Sequence, residues 1–444
     1  MIIFAKNSFS RTCVNMTVVL TILLIAFGNA LAQSISSLDI DRGNSMLRAI
    51  RSDIEQNYYD PKFRGIDIEA LFKQAKDRIN KADSNGQIFG IIALTLIEFN
   101  DSHLIFLPPQ RATRIEYGWN AQMIGNRCFV VAVKPGSDAD LKGLKEGDLV
   151  HFINDMKPSR SEFWKLQYLL NVLRPEPSLR VVVQSAGKEP RELKIDAKIQ
   201  QTKRVTDLTD YNEVIRLEIQ EQRDARLWRH RYIEMDDVFI WKMPQFDLAK
   251  AGVDDMVGKF RKRKALILDL RGNSGGYEET LLRLLGSFFE NEVKVGDLIT
   301  RKQTKPMIVK STSNDAFKGQ VIVLIDSNSA SSSELLARVI QLEKRGTVIG
   351  DNSAGSVMRA RHHSHTVGLE TVTFYGVTVT DADLTMTDGS RLEGAGVTPD
   401  EFLIPNQLDL ATGRDPVMAR ALALAGVNMS AEKARTLFPV EWKK

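Results

Sequence analysis

Apolar residues recur at spacings of three and four through Met46-Leu47-Ile50-Ile54, Ile68-Leu71-Phe72 and Ile88-Ile91-Ile92-Leu96. Helices that bury one face show this spacing. It predicts an N-terminal helical domain over residues 33–112, closing on Phe99-Asn100-Asp101-Ser102-His103-Leu104 and an extended stretch to Pro108-Pro109. From Tyr117 to about Ile199 the pattern changes. Short β-rich runs (Cys128 to Val133, Leu149 to Ile153, Leu179 to Val183) alternate with turn signals, and Ser161 to Leu173 reads as a helix, giving a separate unit over 113–200. Residues 201–235 are charged and poor in long apolar runs, and are read as a linker. Beyond them Val238 to Trp241, Ala265 to Leu268 and Val321 to Ile325 are near-continuous apolar runs, as strands covered on both faces require. Helices are expected at roughly Asp247 to Phe260, Glu278 to Phe289 and Ser333 to Leu342. Alternation of this kind predicts an α/β core over 236–412. The last helix, Pro416 to Ala425, falls in a C-terminal tail (413–444) expected to add little.

Composition narrows the class. The 444 residues are 43% hydrophobic and 26% charged with a formal net charge of +4, ordinary for a globular chain of two or three domains. No basic stripe interleaves with aromatics, so nucleic acid is not an expected partner. The run Arg261-Lys262-Arg263-Lys264 reads as the solvated end of a helix. At the N-terminus, Lys6 and Arg11 precede an apolar run from Val18 to Phe27, and Ala30-Leu31-Ala32 supplies small residues. This is the layout of a signal peptide over residues 1–32, cleaved before Gln33. The apolar run is shorter than the roughly 20 residues a spanning helix needs. The expectation is therefore a periplasmic or secreted protein without stable membrane insertion after cleavage. Of the two cysteines only Cys128 lies beyond that segment, within an apolar strand, where it reads as a buried inert thiol. His362, His363 and His365 cluster, but on a strand only His363 and His365 share a face, and no Cys or acid pair completes a metal site. No metal or cofactor is expected.

Two segments carry candidate chemistry. In Leu324-Ile325-Asp326-Ser327-Asn328-Ser329-Ala330-Ser331-Ser332-Ser333-Glu334, a buried strand ends, a serine-rich loop follows and a helix begins. A helix N-terminus offers free amides and partial positive charge to a developing oxyanion. The same Ser331-x-x-Glu334 spacing is also a capping box that needs no catalysis, and this segment alone leaves both readings open. The second segment, Leu268-Asp269-Leu270-Arg271-Gly272-Asn273-Ser274-Gly275-Gly276, satisfies G-x-S-x-G. A nucleophile elbow there would need partners in the order Ser, acid, His. Paired glycines after a strand better suit backbone donors, so Gly275 and Gly276 are expected as oxyanion ligands and Ser274 is not expected as nucleophile.

The order of these segments carries a resemblance. Val133-Lys134-Pro135-Gly136-Ser137, then Gly143 to Asp148, then Ile153-Asn154-Asp155 resemble the middle of a PDZ domain, which binds an extended peptide along a sheet edge. There follow Asp269-Leu270-Arg271 with Asn273 and the paired glycines, Ser329 to Glu334, and Glu393-Gly394 with Gly396-Val397 and Pro399-Asp400. From about Leu38 to Leu410 the chain resembles the C-terminal processing (tail-specific) peptidases and their tricorn-core relatives. The resemblance implies a crotonase-like α/β protease core with an inserted PDZ domain and an N-terminal helical domain, and Ser331 as nucleophile.

Within that family the tail-processing branch pairs its serine with a lysine. Here Ser356 occupies the matching place, and Lys344 falls at a helix end. The tricorn-like branch uses a Ser-His pair ahead of the PDZ domain and a later Glu, and Ser102-His103 and Glu393 stand there. The resemblance thus implies Ser331 attacking, His103 as base, and Glu393 orienting the imidazole through Ser102, with Gly276 and Ser332 amides as oxyanion hole. The function so implied is an exported serine endopeptidase acting on polypeptides, with a peptide in the PDZ groove binding or gating. The alternatives are a catalytically inactive peptide- or ligand-binding protein of the same fold and a hydrolase of non-peptide esters or amides.

Overall fold

A computed structural model describes residues 35–109, 113–201, 229–368 and 373–442. The expected signal peptide (1–32) and most of the expected linker lie outside them. No helix among the described residues is long and apolar enough to cross a membrane.

The chain opens with α1 (Ser37–Asn57), α2 (Ile68–Ile79) and α3 (Asn85–Ile97). Ser36 and Asp39 close a capping box at the first, and the Asp67 and Ser84 side chains accept the amides of Ala70 and Gln87 at the others. Their apolar faces meet in one cluster: Ile50 and Ile54 from α1, Phe72 and Ile79 from α2, Ile88 and Ile92 from α3. These helices are not a separate body. The same cluster contains Tyr375, Val377 and Val379, and β1 (Ile105–Leu107) pairs antiparallel with the long strand β17 (Thr373–Met386). That pairing carries the end of the helical segment onto a sheet of β1, β17, β12 (Val293–Thr300), β13 (Thr304–Val309) and β16 (Met358–Val367).

Next come β2 (Thr113–Glu116), β3 (Trp119–Ile124), β4 (Arg127–Val133), α4 (Asp138–Leu141), β5 (Leu149–Ile153), α5 (Phe163–Tyr168), β6 (Ser178–Gln184), β7 (Arg191–Asp196) and β8 (Lys198–Gln201). Strands β3 to β7 form an antiparallel sheet in sequential order around a small core of Val130, Val150, Val181, Val183 and Ile195. Pairing of β2 with β8 brings the two ends of this segment side by side. Cys128 is buried in this core, and burial pushes its thiol up to about 12, which suits an inert thiol.

The remaining sheet has the order β18-β15-β14-β11-β10-β9. Here β10 (Val238–Lys242), β11 (Ala265–Asp269), β14 (Gln320–Ile325), β15 (Gly346–Gly350) and β18 (Glu401–Phe402) are parallel, and β9 (Arg231–Met235) joins antiparallel at the edge. Residues 231–235, read as the end of a linker, are thus part of this sheet. Their alternating Arg-Tyr-Ile-Glu-Met pattern fits an edge strand covered on one side. One face is covered by α6 (Lys250–Phe260), α7 (Glu278–Gly286) and α8 (Ser332–Leu342), with Phe260, Leu284 and Leu336 in the main core. The other face carries a correction. After the short α9 (Gln407–Ala411), α10 (Pro416–Leu424) and α11 (Ala431–Arg435) form a second core, with Val417, Met418, Ala421 and Leu422 against Ile240, Ile267, Ile322 and Leu324. The C-terminal segment closes the sandwich instead of adding little. Burying Val417, Met418 and Leu422 contributes about 1.5–3 kcal/mol each.

Candidate active site

Three loops leave the carboxyl ends of the parallel strands and meet above the sheet. The loop after β14 ends in Ser331, which caps α8 with φ +55° and ψ −118°. This conformation is strained for a residue with a Cβ, by about 1–3 kcal/mol, and persists only where the surroundings hold it. Here the Ser331 amide donates to the Ser356 carbonyl at 2.8 Å and to Glu334 Oε2 at 2.9 Å.

The loop after β11 packs against that turn. Gly275 (φ +98°) has no room for a side chain: a Cβ there would lie 2.6 Å from the Ser331 Cβ. Asn273, wholly buried, organises the contact. Its carbonyl accepts from the Ala330 amide (2.9 Å) and the Ser333 hydroxyl (3.0 Å), and its Nδ2 donates to the Met243 carbonyl (2.9 Å). Its Oδ1 accepts the Gly275 amide at 2.8 Å. That last bond occupies one of the expected oxyanion donors. The amides of Gly276 and Ser332 find no acceptor among the described residues, and the Ser332 hydroxyl donates to the Gly276 carbonyl at 3.1 Å, holding the two together. Ser274 is exposed.

The loop after β15 follows. Glu334, buried at the start of α8, accepts from the Ser353 hydroxyl (2.5 Å) and the amides of Gly355 (2.7 Å), Ser356 (2.9 Å) and Ser331. Burial pushes its carboxyl up to about 7 against the lowering effect of these donors. The next amide, Val357, donates to Glu393 Oε2 at 2.8 Å.

Glu393 joins the Ser-His pair to this frame. Its Oε1 accepts the Ser102 amide at 3.0 Å and its Oε2 accepts the Ser102 hydroxyl at 2.8 Å. Ser102 Oγ lies 2.8 Å from His103 Nδ1. With Glu393 ionised, the one hydroxyl hydrogen points to the carboxylate, so Nδ1 must carry the proton and Nε2 keeps its lone pair. Burial holds His103 below its usual range, partly opposed by Asp101, so the ring is neutral at neutral pH. Burial also raises Glu393, against the Ser102 and Val357 donors. Arg391, two residues before Glu393, pairs with Asp383 at 3.0 Å.

The frame thus brings Ser102, His103 and Glu393 into one hydrogen-bonded chain, tied to Ser331 through Ser356 and Val357. Among the described residues no hydrogen bond joins Ser331 to His103. Ser356, read only as the place of a missing lysine, supplies the carbonyl that holds the Ser331 amide. Asn273 and Glu334 were visible as motif letters, but nothing in their spacing revealed how many loops each would tie.

The other histidines do different work. His365 Nε2 lies 2.5 Å from Asp53 Oδ2 and His363 Nδ1 3.6 Å from Asp53 Oδ1, linking β16 to α1. Among the described residues no group of three or more His, Cys, Asp or Glu could hold a metal ion.

The chain is similar to known proteins in sequence and in fold. Residues 237–402 match the family model described as Peptidase family S41. The chain is 24% identical over 276 residues to the tail-specific protease of Haemophilus influenzae, covering 57% of this chain and 36% of that protein. It is 29% identical over 162 residues to the carboxy-terminal-processing protease of Bartonella bacilliformis, covering 35% of each. The chain therefore spans about a third of the length of these two relatives. Among solved structures, mature CPAF superposes with a TM-score of 0.62 at 13% identity, over 84% of this chain and 95% of that one, a likeness of fold.

Proposed function

With a core of the peptidase family S41 type over residues 237–402, we propose that this chain is an exported serine endopeptidase using Ser331 as nucleophile and His103 as base. The observation that carries the reading is the hydrogen-bonded chain from Glu393 through the Ser102 hydroxyl to His103 Nδ1, at 2.8 Å in each step. It leaves Nε2 free to take a proton. In the reaction the Ser331 Oγ–H bond breaks as its oxygen bonds the scissile carbonyl carbon, and the proton passes to His103 Nε2. The carbonyl π pair moves onto oxygen, facing the Gly276 and Ser332 amides. Collapse of that intermediate breaks the C–N bond, and His103 returns the proton to the leaving amine. Water repeats the sequence on the acyl-enzyme.

Ser356 in place of a lysine favours the tricorn-like arrangement over a Ser-Lys dyad. We read residues 113–200 as a PDZ-like insertion: its two ends are paired through β2 and β8, and an edge of its sheet would take an extended peptide. Export rests on residues 1–32. The alternative of a binding protein of this fold draws on the lack of a direct Ser331–His103 hydrogen bond, and one experiment separates the two. The mature chain from Gln33 is exposed to a fluorophosphonate probe. Labelling is expected in wild type and Ser274→Ala, and lost in Ser331→Ala and His103→Ala. A folded wild type that stays unlabelled even with added peptides would make binding the better reading.

A further inference from the structure

The mechanism leaves one buried carboxylate beside the base unused. Asp101 immediately precedes Ser102-His103, and its side chain is wholly shielded from solvent. Its Oδ1 accepts the His103 amide at 2.9 Å and the Thr380 hydroxyl at 2.7 Å, and its Oδ2 accepts the Tyr58 hydroxyl at 2.9 Å. Those three donors come from three places: the turn that carries the base, strand β17, and the residue that ends α1. The turn itself is unusual, since Asn100 holds φ +47° and its carbonyl accepts from Arg64 Nη1. A residue that only capped a turn would need one of these bonds. A buried carboxylate with three directed donors fixes where the turn sits relative to β17, and with it where the imidazole sits.

Charge gives Asp101 a second role. The carboxylate of Glu393 reaches the imidazole only through a neutral hydroxyl, so the positive charge that His103 acquires on taking a proton is not directly paired. Around it stand the carboxyls of Asp101 and Glu393, Arg64, whose Nη2 lies 3.9 Å from Asp101 Oδ2, and Tyr58 and Tyr59, which burial keeps protonated. Asp383 faces Tyr59 from β17. Asp101 is the charge that opposes the burial of His103.

We propose that Asp101 is a positioning residue of this site: its buried carboxylate locks the Ser102-His103 turn to β17 and α1 and supplies, beside Glu393, a second negative charge to the imidazolium formed during catalysis. The role rests on the peptidase reading, because it acts only through His103. On it the site has two acids with divided tasks. Glu393 selects the tautomer through Ser102, and Asp101 sets the ring's place and its affinity for a proton.

The test measures the His103 titration by NMR in the mature chain bearing Ser331→Ala, the His103 signal being the one lost in His103→Gln. Adding Asp101→Asn should lower the His103 midpoint by about one pH unit, the size expected for loss of a nearby opposite charge. In the chain with Ser331 intact, Asp101→Asn should move the acid limb of fluorophosphonate labelling to lower pH by the same amount and slow labelling at pH 8 about tenfold or more. Tyr58→Phe removes one donor but keeps the charge, and should slow labelling while leaving the midpoint in place. A merely structural Asp101 would change rate and stability without moving either midpoint, and that result overturns the proposal. If Asp101→Asn does not fold, Asp101→Ser keeps a hydroxyl acceptor for the His103 amide without charge and gives the same readout. Labelling abolished by His103→Ala with both midpoints unmoved in the Asp101 variants defeats the Asp101 role alone. Wild-type labelling in His103→Ala defeats the peptidase reading and this role with it.

Discussion

In its strained turn the Ser331 amide is held by the Ser356 carbonyl and by the side chain of Glu334, three residues on. Glu334 also accepts the amides of Gly355 and Ser356 and the Ser353 hydroxyl, so one buried carboxylate joins the nucleophile turn to the loop that reaches Glu393. Its folded-state value of about 7 against an ordinary 4.5 means that folding takes up a proton between those values. A raised acid contributes stability fully below about 4.5, and that contribution is lost as pH rises through about 7. Glu334→Gln does not titrate. The stability difference between wild type and Glu334→Gln should therefore shift against wild type by about 3 kcal/mol between pH 4.5 and 8. Urea unfolding at the two pH values measures it, and a constant difference would show that the carboxyl keeps its ordinary value.

At the scale of elements, the site is assembled from strand ends. The carboxyl ends of parallel strands in an open α/β sheet converge on one edge, so the loops after β11, β14 and β15 meet there by topology. β1 then brings the base in from the helical segment, with Ile105 opposite Thr378 on β17 and Thr378 Oγ1 donating to the His103 carbonyl at 2.6 Å. The glycine loop tolerates no bulk where it crosses the segment after β10. A Cβ at Gly276 (φ +141°) would lie 2.4 Å from the Phe246 carbonyl oxygen. Gly276→Ala should force this loop off Phe246 and misplace one oxyanion donor, lowering the labelling or turnover rate by about 10²–10³. Circular dichroism would show whether the secondary structure is retained, and a near-wild-type rate in the folded variant would mean that the Gly276 amide is not a donor.

Over the whole molecule, the sheet of β3 to β7 rests on the same loops. Arg160 Nη1 donates to Asp351 Oδ2 at 3.0 Å and to the Gly125 carbonyl at 2.8 Å, and its Nη2 reaches the Asn352 carbonyl. The Gly125 amide donates to the same Asp351 oxygen at 2.7 Å. Gln122 Nε2 binds Asp326 Oδ2 at 2.7 Å, and Asp326 Oδ1 accepts the Gly272 amide at 2.9 Å. Loops carrying Ser331, Gly276 and Ser356 are therefore all within one or two bonds of β3 and its neighbours. Arg160→Ala leaves the buried Asp351 carboxylate without its cation. It should cost about 2 kcal/mol in thermal unfolding, discounted from the 3–5 kcal/mol of a fully buried pair because Arg160 is partly exposed. It should also slow probe labelling. Unchanged labelling with lowered stability would make this contact structural only.

The sequence by itself determined the parts whose signal is local. Val238 to Trp241, Ala265 to Leu268 and Val321 to Ile325 were legible as buried strands because both faces are covered, and a run of apolar residues needs no partner to be recognised. The helices α1 to α3 were legible from their 3.6-residue stripe. The nucleophile turn stood out because a strand, a serine loop and a helix start are contiguous. Edge strand β9 was not legible, since one exposed face makes its pattern resemble a charged linker. Nor was the packing role of α10 and α11, because an amphipathic helix does not say which sheet face it covers. Tertiary structure alone decided the partnerships: Ser102 with Glu393, 291 residues apart, Glu334 with the loop after β15, Asn273 with both Gly275 and Ser333, and Asp101 with Tyr58 and Thr380. A carboxylate or an amide looks the same in sequence whether it faces water or three donors. Only burial, which closes off water and makes each unpaired polar group costly, turns such a residue into a tie between distant loops.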